Sequence, residues 1–344
     1  MGRLGAHPIT EQQAKMTSYV NTSLITNVPI TYNRFIFDNV DRYHVYTSRG
    51  YISSNTISFG NGFNDYVEAG NISSNTISFG NGFNDHVVAN TGISGNISGN
   101  TISFGNGFND HVEANTDFSG SISGNTISFG NGFNDHVEAN TRINSGDISG
   151  NTISFGNGFN DHVEAGNISG NNISFGNGIG DYVSANFDDG NNTIKLGNGS
   201  GGYITLGSGV GGSTFVTGTG ANDTITIGTH THADTFGFTV GTSGTNFTRV
   251  FGAQSGDHFT LSTQVSNPFL MSGSPYELTQ VHTNATSLAG FISSLGAVDS
   301  GNAKVGYNGT NTFIVTSSNN HIAAIEIVGS FTHTTLHAGV LTLG

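Results

Sequence analysis

The chain has 344 residues, 52 glycines, no cysteine and no tryptophan, and a formal net charge of -14 from 23 acidic and 9 basic residues. Lack of cysteine excludes disulfide staples, thiol catalysis and thiolate metal sites. With no Lys/Arg cluster, nucleic-acid binding has no electrostatic footprint, and no apolar run reaches the roughly 18 residues a membrane-spanning helix needs.

Residues 1–50 differ in character from the rest of the chain. Met1 to Pro8 has no apolar stretch of the kind a cleavable signal peptide carries. Thr10 to Tyr19 reads as a short helix, with Thr10 as cap and Glu11 in the first turn. Ile25 to Tyr46 reads as strands, rich in Ile, Tyr, Phe and Val.

From residue 51 a repeat takes over. Asn-Thr-Ile-Ser-Phe-Gly-Asn-Gly-Phe-Asn-Asp starts at Asn55, Asn75, Asn100, Asn125 and Asn151, with a looser copy at Asn171. The first glycine of each Gly-Asn-Gly falls at Gly60, Gly80, Gly105, Gly130, Gly156 and Gly176, giving steps of 20, 25, 25, 26 and 20 residues. Plainer turns come next at Gly197, Gly207 and Gly218. A full coil is therefore 20 to 21 residues and a half coil ten to eleven. The longer steps insert residues at one place per coil, as at Thr91 to Ser94 and Thr141 to Gly146.

Ile57 and Phe59 share one parity and Thr56 and Ser58 the other. After the turn, Asp65, Val67 and Ala69 alternate with Tyr66 and Glu68. That alternation is the period of strands buried on one face. Stacked about 4.8 Å apart, such strands make two parallel sheets around an Ile/Phe/Val/Ala core. The fold expected is all-β, a right-handed parallel β-roll or β-solenoid over 51–236. Residues 1–50 then cap or dock, and 237–344 form a β-rich C-terminal domain.

The turns Gly60-Asn61-Gly62-Phe63-Asn64-Asp65 and Gly80-Asn81-Gly82-Phe83-Asn84-Asp85 resemble the nonapeptides of bacterial RTX proteins, the haemolysin-type calcium-binding repeats. Gly218-Thr219-Gly220-Ala221-Asn222-Asp223 is a further copy. The resemblance implies Ca2+ held between coils by turn carbonyls and successive aspartates. Its candidate ligands are Gly60, Gly62, Asp65, Gly80, Gly82, Asp85, Asp110, Asp135, Asp161, Asp181 and Asp223. One departure is that this chain has Gly-Asn-Gly-Phe where the family usually has Gly-Gly-x-Gly. Physically, a column of aspartates about 4.8 Å apart is repulsive and raises carboxyl pKa values unless a cation relieves it. The metal-free reading is that the aspartates cap turn N–H groups. Gly202 and Gly212 replace the aspartate in later half coils.

Two further features are open to more than one reading. His86, His111, His136 and His162 share an outward position with Tyr66 and Tyr182, and Glu68, Glu113, Glu138 and Glu164 stand two residues on. This stripe is a duplicated surface ladder, an intermolecular contact, or a transition-metal site. His230, His232 and Asp234 lie close enough in sequence to chelate, although one extended strand cannot close a site alone.

In the last hundred residues, Phe247 to Leu261 resembles the strand and Gly-Asp turn that come after RTX rolls. Thr286 to Leu295 is the expected helix. Thr312 to Val315, His321 to Val328 and Leu336 to Leu343 are expected strands. The block resembles the C-terminal region of type I secreted bacterial proteins, which implies export and a secreted, cell-surface location. No Gly-x-Ser-x-Gly elbow, His-Glu-x-x-His helix or phosphate loop is present, so no enzyme is expected. The expected role is structural: head-to-tail self-association into a homopolymeric filament, sheath or surface layer. The alternative is a monomeric adhesin-like module for glycans or surfaces, with Phe187 and the insertions at 116–118 and 141–143 as contacts. A third reading, an ice or mineral binder, rests on the Thr56, Thr76, Thr101, Thr126 and Thr152 column.

Overall fold

The computed structural model describes residues 17–20, 23–48, 50–90, 94–114, 119–139, 146–240, 245–263, 280–282, 285, 287–294, 303–318, 321–329, 331, 335–337 and 340–343. The chain divides into two compact units, Met1–Asn167 and Ile168–Gly344. The inserted residues 91–93, 115–118 and 140–145 lie outside the described set, as do residues 10–16 of the expected N-terminal helix.

In the first unit the fold is the expected parallel β-solenoid, with three short strands per coil. Thr56–Ser58, Thr76–Ser78, Thr101–Ser103, Thr126–Ser128 and Thr152–Ser154 pair in parallel with identical register, Thr on Thr and Ile on Ile. Across the core, Tyr66–Ala69, His86–Ala89, His111–Ala114, His136–Ala139 and the first half of His162–Ser169 stack likewise. A third row holds Tyr51–Ser53, Asn71–Ser73, Ser94–Ser98, Ser119–Ser123 and Asp147–Ser149. In His162–Ser169 the second and third rows form one uninterrupted strand, so the longer coils insert residues where this sheet bends.

The alternation does what its period requires. Ile57, Ile77, Ile127 and Ile153 are fully buried, and Phe59, Phe79, Phe104, Phe129 and Phe155 nearly so. Each buried Ile contributes about 1.5–3 kcal/mol. Successive phenyl rings stack with centroids 4.7 to 4.8 Å apart, the spacing between strands.

The coil pattern starts upstream of residue 51. Leu24–Thr26 pairs with His44–Thr47, Ile30–Thr31 with Tyr51–Ser53, and Asn33–Ile36 with Thr56–Ser58, all in parallel. The N-terminal helix needs correction: Thr17, Ser18 and Tyr19, its expected last turn, lie in strand Thr17–Val20, which pairs with Asn33–Ile36. An available sheet edge wins over a weak local helix signal.

The second unit is also built of coils, the first of them 21 residues long and the later ones longer. Asn172–Ser174, Thr193–Lys195, Thr214–Thr217, Thr235–Val240 and His258–Thr263 form one parallel row. Tyr182–Asp188, Tyr203–Leu206, Asp223–Ile227, Thr245–Phe251 and His321–Val328 form the other. Asn311–Ser318 and Ala303–Tyr307 then add antiparallel, as do Val340–Thr342 and Thr335–His337 on the first row. Helix Leu288–Ser294 packs Leu288 and Phe291 on Phe313, Val315 and Ala324.

Candidate functional site

Each coil of the first unit closes through two turns built alike. One residue takes a left-handed φ and the next turns a polar side chain inward. At one edge Asn64, Asn84, Asn109, Asn134 and Asn160, with φ of 55 to 60°, precede the aspartates. At the other, Ser54, Ser74, Gly99, Gly124 and Gly150, with φ of 58 to 63°, precede Asn55, Asn75, Asn100, Asn125 and Asn151. Asn and Gly are the residues that bear this conformation at least cost.

The asparagine column is saturated with hydrogen bonds. Asn100 donates its backbone N–H (2.9 Å) and its Nδ2 (3.0 Å) to Oδ1 of Asn125, and Nδ2 also reaches the carbonyls of Ile72 and Ser98. Asn55 and Asn75 repeat the pattern. Sequence reasoning passes over this column as turn residues. A signal for it exists, because Asn55 shares the inward parity of Ile57 and Phe59.

The aspartate column has the same geometry and one atom too few. Backbone N–H groups of Asp65, Asp85, Asp110 and Asp135 each donate at 3.0 Å to Oδ1 of the aspartate one coil on, Asp161 being the acceptor for Asp135. Tyr43 fills the slot before Asp65 and donates its N–H to it. A carboxylate has no N–H to pass along, so Oδ2 of Asp65, Asp85 and Asp135 is buried without a hydrogen-bond partner. In the second unit Asp181 is buried, and Asp223 accepts the Gly202 N–H at 3.0 Å and leaves its own Oδ2 unpartnered. Gly202 thus occupies the aspartate slot as expected. Gly212 does not: the next residue, Ser213, takes the inward position and donates its N–H to Asp234.

Burial, before any other cause, pushes these carboxyls upward. Asp65 is raised to about 6, Asp85, Asp135 and Asp223 to about 7, and Asp110 to about 8. Charged neighbours add to the rise at Asp85 and Asp110, and backbone N–H bonds oppose it throughout.

The glycines divide into two roles. The Gly60 carbonyl accepts the Gly80 N–H, and the Gly80 carbonyl accepts that of Gly105, so these oxygens serve coil stacking. A Cβ at Gly82 would overlap the Gly62 carbonyl oxygen and lie 2.8 Å from Asp85 Oδ2. Those two oxygens therefore flank one point above the Gly82 Cα. Gly107 and Gly132 sit in the same way between the preceding glycine carbonyl and Asp110 or Asp135. Two acceptors facing one another need a proton or a cation between them. The donor set, a carboxylate and glycine carbonyls, fits a hard oxygen-seeking cation. The Gly-Asn-Gly-Phe turn also has a use: Asn81 donates its N–H to Asn61 Oδ1 at 2.9 Å, and Phe63 stacks on Phe83 at 4.7 Å.

Gly82→Ala is expected to cost about 2–3 kcal/mol, since backbone must move to admit the methyl group. Gly99→Ala, with φ +63° and open space around it, is expected to cost about 1 kcal/mol. Urea midpoints compare the two, and equal losses would contradict the close-approach reading.

The outward histidines stack as a column, with His86 and His111 centroids 4.4 Å apart and His136 and His162 4.8 Å apart. Glu113 Oε1 lies 2.7 Å from His111 Nδ1 and 3.1 Å from His136 Nε2. Bonds from these two histidines hold Glu113 well below the usual carboxylate range. Burial, with neighbouring imidazoles, pushes His86 and His162 down to about 4, so they are neutral at pH 7. His86, His111 and Glu113 converge closely enough to hold a metal ion, as do His230, Asp234 and Asp257 in the second unit. There the structure brings in Asp257, to which the sequence does not point, and leaves His232 exposed.

No protein-family model matches the chain, and searches of the curated proteins and of the solved structures return no match.

Proposed function

We propose that the chain is a structural protein of the RTX type, a β-solenoid subunit that is exported, works outside the cell and assembles head-to-tail with copies of itself. Calcium between the aspartate turns would hold its coils together. The observation that carries this reading is the identical register of near-identical coils, Thr on Thr, Ile on Ile and Asp beside Asp. A coil that stacks by pure repetition is complementary to another copy of itself, and a contact of that kind propagates instead of closing. The Asp85, Asp110 and Asp135 carboxylates and the Gly62, Gly82 and Gly107 carbonyls are the groups that would hold the ion. Bound there, calcium would supply the positive charge between facing acceptors. No catalytic role is proposed. Among the described residues no helix is long and apolar enough to cross a membrane.

An adhesin-like role is the second reading. It draws on exposed Phe187 and Tyr203, which suit contact with a glycan face. The insertions at 116–118 and 141–143 lie outside the described residues.

Negative-stain electron microscopy in millimolar calcium and in chelator separates the two. Filaments or sheets in calcium alone are expected. Dispersed single particles in both conditions would remove assembly and favour the adhesin.

A further inference from the structure

We propose that the second unit binds one divalent transition-metal ion of the zinc class through His230 Nε2, Asp234 Oδ2 and Asp257 Oδ1. This site is separate from the aspartate column of the first unit and does not depend on the calcium reading.

The site arises where the inward polar column changes character. From Asn171 the column runs to Asn192, whose N–H meets Ser213 Oγ, then to Asp234 and Asp257. Two carboxylates thus replace neutral residues at successive steps. Asp188, also buried, accepts from Ser213 Oγ, Asn192 Nδ2 and the Gly190 N–H. Two buried carboxylates, Asp234 and Asp257, face a single imidazole, and no lysine or arginine is paired with them among the described residues. A protonated His230 would still leave the two carboxylates and the ring at a net charge of about -1, costly in a dry interior. A divalent ion beside a neutral imidazole restores balance.

The geometry fits such an ion. Nε2 lies 3.0 Å from Asp257 Oδ1 and 3.7 Å from Asp234 Oδ2. Bonds of about 2.0–2.2 Å in a tetrahedron place ligand atoms roughly 3.4 Å apart. The three side chains are 6%, 0% and 1% exposed, in the order His230, Asp257, Asp234.

Each ligand is also held from behind. His230 Nδ1 lies 3.0 Å from the Gly228 carbonyl, which can accept its proton when the Nε2 lone pair is given to an ion. The Gln254 amide nitrogen lies 2.7 Å from the same Nδ1 and donates to the His230 carbonyl at 3.3 Å, so it packs against the back of the ring. The Ser213 N–H holds Asp234 Oδ1 at 2.8 Å, and the Gln254 N–H holds Asp257 Oδ2 at 2.8 Å. Ligands oriented through their second polar atom are the usual outer layer of a metal centre. An imidazole among the donors selects zinc and its neighbours over calcium.

The test is zinc uptake by the full chain after chelator treatment, followed by equilibrium dialysis and X-ray absorption. One tightly held ion is expected, with a single imidazole and oxygen donors in its first shell. His230→Ala should weaken it at least about 100-fold, and exposed His232→Ala should leave it unchanged. No uptake, undiminished uptake by His230→Ala, or a shell of several imidazoles would overturn the site. The absorption arm needs no variant, so misfolding of His230→Ala cannot mask the answer.

Discussion

Asn125→Ala is expected to lower the stability of the first unit by about 4 kcal/mol. Five bonds meet at this side chain. Its Oδ1 accepts the N–H and the Nδ2 of Asn100, and its Nδ2 donates to the carbonyls of Ile97 and Ser123 and to Asn151 Oδ1. Alanine removes all five and leaves the N–H of Asn100, a residue 2% exposed, without its acceptor. Each orphaned buried group costs about 1–3 kcal/mol. The column is also a chain, so a break at one rung weakens the polarisation of its neighbours. Urea unfolding measures the loss. A loss below about 1 kcal/mol would mean that the column is not a stabilising network.

The second large effect is a stability that falls as pH rises. The buried aspartates hold protons more tightly folded than unfolded, with pKa values raised from 3.8 to about 6, 7 and 8 at Asp65, Asp85 and Asp110. Folding therefore takes up protons across this window. Their contribution is complete below about pH 4 and is lost as pH passes through 6 to 8. Each carboxyl that titrates there changes stability by about 1.4 kcal/mol per pH unit. Several in one column add to a loss of several kcal/mol between pH 5 and pH 8. This is the reverse of ordinary acid denaturation. Asp85→Asn puts a donor where Oδ2 has no partner and mimics the asparagine column. It is expected to gain about 1–3 kcal/mol at pH 8 and to change little at pH 5. Equal effects at both pH values would show that charge is not the cause.

Residue parity alone makes much of the solenoid legible. Ile57, Phe59, Val67 and Ala69 point inward as their alternation requires, and strand His321–Val328 and helix Leu288–Ser294 lie where expected. The first coils are hidden because Asp38-Asn39-Val40-Asp41 does the work of Gly-Asn-Gly, with Arg42 at φ +66° in the place of an asparagine. The asparagine column is hidden because an uncharged turn residue reads as loop until its parity is traced across the turn. Asp257 escapes notice as a partner of His230 because one coil step of 23 residues brings it alongside, with the Asp234 N–H bonded to its Oδ1. Only the register of the coils reveals such a neighbour.

The most direct measurement is the urea midpoint of the intact chain at pH 8, with millimolar calcium and with chelator, beside the same pair at pH 5. If facing oxygens at Gly82, Gly107 and Gly132 need a positive charge between them, calcium raises the midpoint at pH 8. At pH 5, where protons already fill the column, calcium does nothing. A midpoint at pH 8 that calcium leaves unmoved, on a chain no less stable there than at pH 5, would contradict it.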